Sequence, residues 1–198
     1  MNRINFLIGS ALMLLLLFGF SACEKPTSNS YQSSNVNLKG DHMTFTFTTS
    51  NLSGRYAPRY VMAVWVEDSI GEFVTSLAVY AQARKQYLVK WYGASRGITA
   101  DAITGATVMG SQTYKLAWDL KDYNGKRVPE GTYKILMEET SNDAAGPETA
   151  VSVEVGNTSY SASPKGSSHF KQLSVDFIVA DTSAVTTQAI GSESNILN

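Results

Sequence analysis

Residues 60–67 read Tyr-Val-Met-Ala-Val-Trp-Val-Glu, an almost continuously apolar run that is rich in β-branched and aromatic side chains. A run of this length and composition is typical of a central β-strand that is covered on both faces. A turn over Asp68–Gly71 leads into Phe73–Tyr80, which is predicted to be its hairpin partner. These two strands are the centre from which the rest of the predicted fold extends.

Shorter runs of similar composition continue the strand pattern on both sides. Residues 43–48 alternate apolar side chains with Thr, as in a strand with one buried face. The further predicted strands are Tyr114–Trp118, Tyr133–Met137, Val151–Val155 and Leu173–Val179, of which the first two are predicted to form a second hairpin across the Asn124-Gly125 turn. Strands in this number, separated by turn residues, predict a mainly β fold: a two-sheet, immunoglobulin-like sandwich.

One segment, residues 83–92, departs from the strand pattern. Its large side chains fall at spacings that line one side of a helix: Tyr87, Leu88, Trp91 and Tyr92. We therefore predict one short helix that ends at Gly93. Leu88 is expected in the core, whereas two roles stay open for Trp91 and Tyr92, namely packing on the sheet or presenting an aromatic surface.

The N-terminus has the features of a bacterial export signal. Arg3 precedes an apolar run, Ile4–Phe20, and small residues then lead to a lone cysteine, Cys23. This ending resembles the lipobox of bacterial lipoproteins, so residues 1–22 are predicted to be a lipoprotein signal peptide and Cys23 the lipid anchor. A transmembrane helix is the alternative, since the run is nearly as long as the ~20 residues that span a bilayer. The placement of the cysteine favours the lipoprotein.

The rest of the chain divides by composition into three parts. Residues 23–41 are predicted to be a lipidated flexible tether, because residues 24–35 are rich in Ser, Asn, Gln and Thr and have no apolar periodicity. Residues 42–181 are predicted to be one β-sandwich domain with its own core, and residues 182–198 a disordered tail. The predicted location is the bacterial cell envelope, where the lipid-anchored domain is either periplasmic or surface-exposed.

Composition argues against several classes of function. The net charge is −1 and Lys and Arg are not clustered, so no nucleic-acid partner is expected. Cys23 is the only cysteine, and His42 and His169 are far apart in sequence. We therefore predict no disulfide, no thiol or histidine-based catalytic site and no metal centre. The order of the carboxylates shows no paired arrangement of the kind a hydrolase needs, so no catalytic residue is predicted.

Residues 101–107, Asp-Ala-Ile-Thr-Gly-Ala-Thr, place a hydroxyl directly after two small residues. A Thr hydroxyl is a weak nucleophile, so its modification needs another enzyme that activates it. The peptide that carries it must then fit the cleft of that enzyme. Thr107 is the candidate acceptor.

The other residues of this segment have predicted supporting roles. Gly105 and Ala106 leave the backbone beside the acceptor free of bulk. Asp101 and Thr104 can hydrogen-bond and hold a bend that presents the acceptor. The alternative is a plain polar loop between two strands, with a turn at Gly105.

The segment resembles the flavinylation motif of FMN-binding proteins, in which an acid, two variable residues, Ser or Thr, Gly, Ala and a final Ser or Thr follow one another. In those proteins a magnesium-dependent FAD:protein FMN transferase cleaves FAD and leaves FMN esterified to the last hydroxyl. The resemblance implies FMN on Thr107, with Asp101, Thr104, Gly105 and Ala106 as the rest of the attachment site.

A second resemblance covers residues 114–119 and 122–133. The Trp-Asp, Asn-Gly and Val-Pro-x-Gly-x-Tyr elements of this stretch are similar to a hairpin in the immunoglobulin-like domain of flagellar hook-capping proteins. Trp118 and Tyr133 are predicted to face the core. This resemblance carries information about the fold and almost none about function.

Together, the export signal, residues 60–68, the 101–107 segment and the Trp-Asp hairpin resemble an exported bacterial family, domain of unknown function 2271, over residues 45–138. The resemblance implies a periplasmic protein that occurs with flavin transferases and membrane redox proteins. We therefore interpret the chain as an extracytoplasmic lipoprotein that carries covalent FMN and relays electrons between membrane redox proteins and an outside acceptor. It is more a carrier than a self-contained enzyme.

The aromatic side chains have a different role in each interpretation of function. In a flavin carrier, Trp91 and Tyr92 lie close in sequence to Thr107 and are candidates for stacking on the isoalloxazine ring. The alternative is a cofactor-free β-sandwich module that binds a protein or glycan at the cell envelope through Tyr92 and Tyr123.

Overall fold

The computed structural model describes residues 31–33, 38–100 and 102–180, the first of these ranges by its backbone alone. The predicted signal peptide, Cys23, most of the predicted tether, Asp101 and the predicted tail lie outside the described residues. Tyr31–Ser33, inside the predicted tether, form a short strand.

Within the described residues the chain forms eleven strands. In chain order they are β1 (Tyr31–Ser33), β2 (His42–Thr49), β3 (Arg59–Asp68), β4 (Phe73–Tyr80), β5 (Ile103–Gly105), β6 (Val108–Met109), β7 (Thr113–Trp118), β8 (Gly131–Thr140), β9 (Glu148–Val155), β10 (Tyr160–Ala162) and β11 (Phe170–Ile178). A 3-10 turn, Lys85–Tyr87, and a helix, α1 (Val89–Ser95), lie between β4 and β5.

The strands form two sheets that pack face to face. The order is β1-β7-β2-β11-β10 in the first sheet and β5-β4-β3-β8-β9 in the second, and the short β6 pairs with the start of β3. The predicted mainly β, two-sheet sandwich with one short helix is confirmed. The predicted hairpin of residues 60–67 with 73–80 is also present, as the antiparallel pair β3 and β4.

The main core lies between the two sheets. Phe45 and Phe47 of β2 and Tyr60 of β3 each expose no more than 1% of their surface there. The rings of Phe47 and Tyr114 stack with their centroids 5.1 Å apart. Along β2 the intervening residues alternate with these buried ones, as the pattern of residues 43–48 predicted.

The second face of β3 is buried as well, as its continuous apolar run predicted. Val61, Ala63 and Trp65 point away from the main core and pack with Leu88 and Trp91 of the helical segment. An amphipathic segment is stable at this place because its apolar side covers the outer face of the sheet. The outer core formed in this way positions the segment that leads to residues 101–107.

The helical segment differs from the prediction in its bounds. Instead of a helix over 83–92, the 3-10 turn at 85–87 precedes α1, which continues through Gly93 to Ser95. A Cβ on Gly93 would meet nothing within 4 Å, so glycine at this exposed position marks no helix end. The helix ends at Arg96, which lies in the left-handed region at φ 52° and donates its N–H to the Tyr92 carbonyl.

The predicted second hairpin is wrong, although its turn is present. Strand β7 pairs with β2 in the first sheet, whereas β8 pairs with β3 and β9 in the second. The Gly125 N–H donates to the Asp122 carbonyl at 2.9 Å, as expected of a turn at 124–125. The link that contains this turn therefore crosses from sheet to sheet. Trp118 and Tyr133 are buried as predicted, with their rings edge to face at 5.4 Å.

Candidate functional site

The described part of the 101–107 segment lies at the edge of the second sheet. Strand β5 is the edge strand and pairs in parallel with the end of β4, so that Thr104 is opposite Val79 and Gly105 is opposite Tyr80. Strand β6 then pairs with the first residues of β3. Ala106 and Thr107 therefore form the bend at which the chain moves from the edge of β4 to the start of β3.

Side chains along β5 alternate between the core and the outer face, since successive residues of a strand point to opposite sides. Ile103 packs against the main core. Thr104 and Ala106 are exposed. A Cβ on Gly105 would lie 2.7 Å from Cδ1 of the buried Tyr80 ring. Glycine is therefore required at 105 by close approach to a core ring, within a strand and not within the turn that the loop alternative predicted.

Thr107, at this bend, is partly buried. Its hydroxyl forms no hydrogen bond with another described residue, so the fold does not depend on that oxygen. The predicted hydrogen bonds of Thr104 to hold the bend are likewise not formed with any described residue. The bend is held by the pairing of β5 with β4 and of β6 with β3.

A cleft of about 430 Å³ lies beside this bend. Its volume falls in the range of small-molecule sites, roughly 300–1,000 Å³. The described residues that line it come from β4, the helical segment and β5: Val79, Ala81, Gln82, Lys85, Thr99, Thr104, Gly105 and Ala106. Three residues of the predicted attachment segment thus share one cleft. Sequence reasoning did not predict its other residues, most of which are 16 or more positions before the segment along the chain.

The two aromatic residues expected near the segment differ in exposure. Trp91 has no exposed surface, and its ring N–H donates to the Ser76 hydroxyl at 2.9 Å. Stacking on a ligand is therefore not open to Trp91, which is a core residue. Tyr92 exposes 43% of its surface, packs edge to face on Trp91, and is not among the residues that line the cleft.

Arg84 anchors the wall of the cleft that carries Gln82 and Lys85. Its guanidinium donates to the carbonyls of Thr140 and Asn142 at 3.3 and 3.2 Å. It also lies 4.0 Å above the centre of the Tyr56 ring. The turn is thereby bound to the end of β8, which keeps this wall in place without any ligand.

Glu138, a buried residue of β8, caps the start of α1. One carboxylate oxygen accepts hydrogen bonds from the N–H groups of Lys90 and Trp91 at 3.1 and 3.0 Å. Burial raises the pKa of Glu138, and these backbone hydrogen bonds oppose that shift. The sequence pattern did not predict this role, because the cap and the helix are far apart in the chain.

Glu139 points to the opposite face of the same strand and lies inside the main core. It has no exposed surface, and neither carboxylate oxygen has a hydrogen-bond partner among the described residues. The hydroxyls of Tyr60 and Tyr114 are hydrogen-bonded to each other in this region at 3.2 Å. His169 Nδ1 lies 3.8 Å from Glu139 Oε1. Burial raises the pKa of Glu139 to about 8.

Two further features are absent from residues 38–100 and 102–180. No three His, Cys, Asp or Glu side chains of these ranges come together as metal ligands. No helix in the same ranges is long and apolar enough to cross a membrane. The apolar run of residues 4–20, for which a membrane helix was the alternative, lies outside them.

Comparison with known proteins identifies a family. The family model described as "Predicted periplasmic protein (DUF2271)" matches residues 42–172, a range that begins at β2 and extends into β11. No curated protein and no solved structure matches the chain. The description of the family names a location and neither a cofactor nor a reaction.

Proposed function

The chain belongs to this family of predicted periplasmic proteins, domain of unknown function 2271, and on that premise we propose that it is a lipid-anchored carrier of covalent FMN. In this proposal Cys23 holds the lipid and Thr107 holds the flavin. The protein relays electrons between membrane redox proteins and an acceptor outside the membrane.

One observation carries the proposal: the last hydroxyl of the segment lies at a partly exposed bend of a sheet edge, beside a cleft that the same segment lines. A modifying enzyme needs an acceptor that it can reach and that can be changed without loss of folding. Thr107 is partly exposed and its hydroxyl forms no hydrogen bond with another described residue, and both observations support it as that acceptor.

The attachment step is a phosphoryl-type transfer that needs no electrons. The Thr107 oxygen forms a bond to the phosphorus of the FMN half of FAD, and the bond from that phosphorus to the AMP oxygen breaks. AMP leaves, and the hydroxyl proton passes to a base of the transferase. Once bound, FMN supplies reversible electron transfer, which the side chains of this chain do not.

The test is co-expression of the full chain, with export, together with an FAD:protein FMN transferase. We expect a fluorescent flavin band in a denaturing gel and a mass increase equal to esterified FMN, both lost in Thr107→Ala. Thr44→Ala, at a partly buried Thr of the other sheet, is the matched control and should keep both signals. An unmodified mass, or a mass increase that survives Thr107→Ala, contradicts the proposal.

The cofactor-free alternative is tested on the same samples. It relies on Tyr92 and Tyr123, which expose 43% and 38% of their surfaces. A colourless protein that binds an envelope protein or glycan equally well with and without Thr107→Ala would favour that alternative. Loss of this binding in Tyr92→Ala or Tyr123→Ala would then identify the surface.

A further inference from the structure

We infer that the cleft beside Thr107 is the resting site of the flavin ring, with Lys85 and Gln82 in contact with its polar carbonyl edge. This inference rests on the proposed function and adds the place of the ring and the residues that hold it. Neither Lys85 nor Gln82 belongs to the 101–107 segment, and both line the same cleft as Thr104, Gly105 and Ala106.

The cleft combines an apolar base with a polar rim. Val79 and Ala81 are buried members of the outer core and form an apolar base. Gln82, Lys85 and Thr104 are exposed and form a polar rim. An isoalloxazine ring has an apolar dimethylbenzene end and a polar end with carbonyl and N–H groups, so it matches a site that combines both surfaces.

The cleft also carries a positive charge. Among the described residues that line the cleft, Lys85 is the one with a charged side chain. Its ammonium forms no ion pair with a described acidic residue. A lysine in this position can donate to the carbonyl oxygens of the ring, while the Gln82 amide can both donate and accept. The cleft therefore favours an electron-rich, acceptor-bearing ligand edge.

The wall of the cleft that carries Gln82 and Lys85 is held in position without a ligand. Arg84, between Gln82 and Lys85, is held by the Thr140 and Asn142 carbonyls and by the Tyr56 ring. A wall fixed in this way loses little conformational freedom when a ligand binds.

The cleft is also close to the proposed attachment residue, Thr107. Ala106 lines the cleft and is the direct neighbour of Thr107. A ring tethered at Thr107 is therefore present at a high effective concentration, on the order of millimolar for a short flexible link. An open cleft with modest intrinsic affinity is then sufficient to keep the ring in place.

The experiment uses the full chain loaded with FMN. The fluorescent band in a denaturing gel first establishes that FMN is attached. In the native protein we expect the flavin fluorescence to be several-fold less sensitive to quenching by acrylamide than free FMN, with an anisotropy close to that of the whole protein. The double variant Gln82→Ala/Lys85→Gln should move both values toward those of free FMN, while the absorption band shifts toward the free-flavin position. Lys85→Arg should keep most of the protection, because it retains the positive donor.

Lys115→Gln is the matched control, because Lys115 is exposed on the first sheet and away from the cleft. It should leave quenching and anisotropy unchanged. A bound flavin with the quenching and anisotropy of free FMN, or a double variant identical to the unchanged protein, overturns the ring site and leaves Thr107 attachment intact. A chain without the fluorescent band overturns both the attachment and the ring site.

Discussion

At the scale of single residues, Gly105 illustrates how one position can have a packing role inside a segment that resembles a modification motif. The glycine sits in β5, and the ring of Tyr80 occupies the space that a side chain would need. The requirement for glycine at 105 follows from the core whether or not Thr107 is modified.

We predict that Gly105→Ala lowers the free energy of unfolding by about 1–3 kcal/mol, because the added methyl group overpacks against the Tyr80 ring. Gly93→Ala is the matched control, since nothing lies within 4 Å of its Cβ position in α1. This control should raise stability by about 0.5–1 kcal/mol through helix propensity. Urea unfolding measures both, and equal effects of the two substitutions would contradict the account of Gly105.

The buried carboxyl group of Glu139 is expected to make the stability of the protein depend on pH. Its folded pKa of about 8 lies above the ordinary value of 4.5, so the unfolded chain releases the proton first as pH rises. The contribution of Glu139 to the free energy of unfolding is therefore full below about pH 4.5 and is lost as the pH rises to about 8, with a slope of up to about 1.4 kcal/mol per pH unit. We predict that Glu139→Gln removes this fall and is more stable than the unchanged protein at pH 8.

The groups near Glu139 that can titrate are His169, Tyr60 and Tyr114. Burial raises the pKa of Tyr60 to about 12 and that of Tyr114 further still, so both stay neutral in this range. Urea unfolding from pH 4 to 9, repeated in a His169→Gln background, isolates the carboxyl group. An unchanged pH profile in Glu139→Gln would rule out its buried proton as the cause.

At the scale of elements, α1 depends on a residue from another element. The helix has only Val89–Ser95 and no side-chain cap of its own at Leu88. Its first N–H groups are satisfied by Glu138 of β8. Short helices are marginal by themselves, so this contact and the outer core keep the helical segment against the sheet.

We predict that Glu138→Ala lowers the free energy of unfolding by about 1–2 kcal/mol, because the buried N–H of Trp91 and the part-buried N–H of Lys90 lose their acceptor. Glu138→Gln retains an acceptor oxygen and should cost much less. Hydrogen exchange at the amides of Lys90 and Trp91 should become faster in the Ala variant and stay slow in the Gln variant. Equal exchange in both variants would contradict the capping role.

Some of the strands can be predicted from the local sequence pattern, and others cannot. The alternation in β2 and the apolar run in β3 predicted those strands. A strand that is buried on one face alternates apolar and polar residues, and a strand that is buried on both faces is continuously apolar. Strands β5, β6 and β10 have two or three residues each and no usable pattern. They form strands only because each of them pairs with a free edge of a longer strand.

At the scale of the whole molecule, β3 joins the two hydrophobic cores. Tyr60, Met62 and Val64 belong to the core between the sheets, and Val61, Ala63 and Trp65 belong to the core under the helical segment. Loss of either core exposes one face of the same strand. The two cores are therefore expected to unfold together.

We predict a single cooperative unfolding transition for the described domain. Trp118 reports the core between the sheets, and Trp65 and Trp91 report the outer core. Urea titrations of the double variant Trp65→Phe/Trp91→Phe and of Trp118→Phe, followed by fluorescence and by far-UV circular dichroism, should each give coincident transitions by both probes. An earlier fluorescence transition in the variant that keeps Trp91 would show that the outer core melts separately.

Periodicity and composition within short windows were sufficient to predict the fold class, the central strand pair and the presence of one short helix, and the spacing within residues 101–107 led to Thr107 as the candidate acceptor. Three features came from the packed structure alone: β7 and β8 belong to different sheets, Trp91 is fully buried, and Lys85 lines the cleft beside the 101–107 segment. The reason is physical: strand partners and clefts are selected by contacts between residues that are distant in sequence, and those contacts exist only once both sheets and the helical segment have packed.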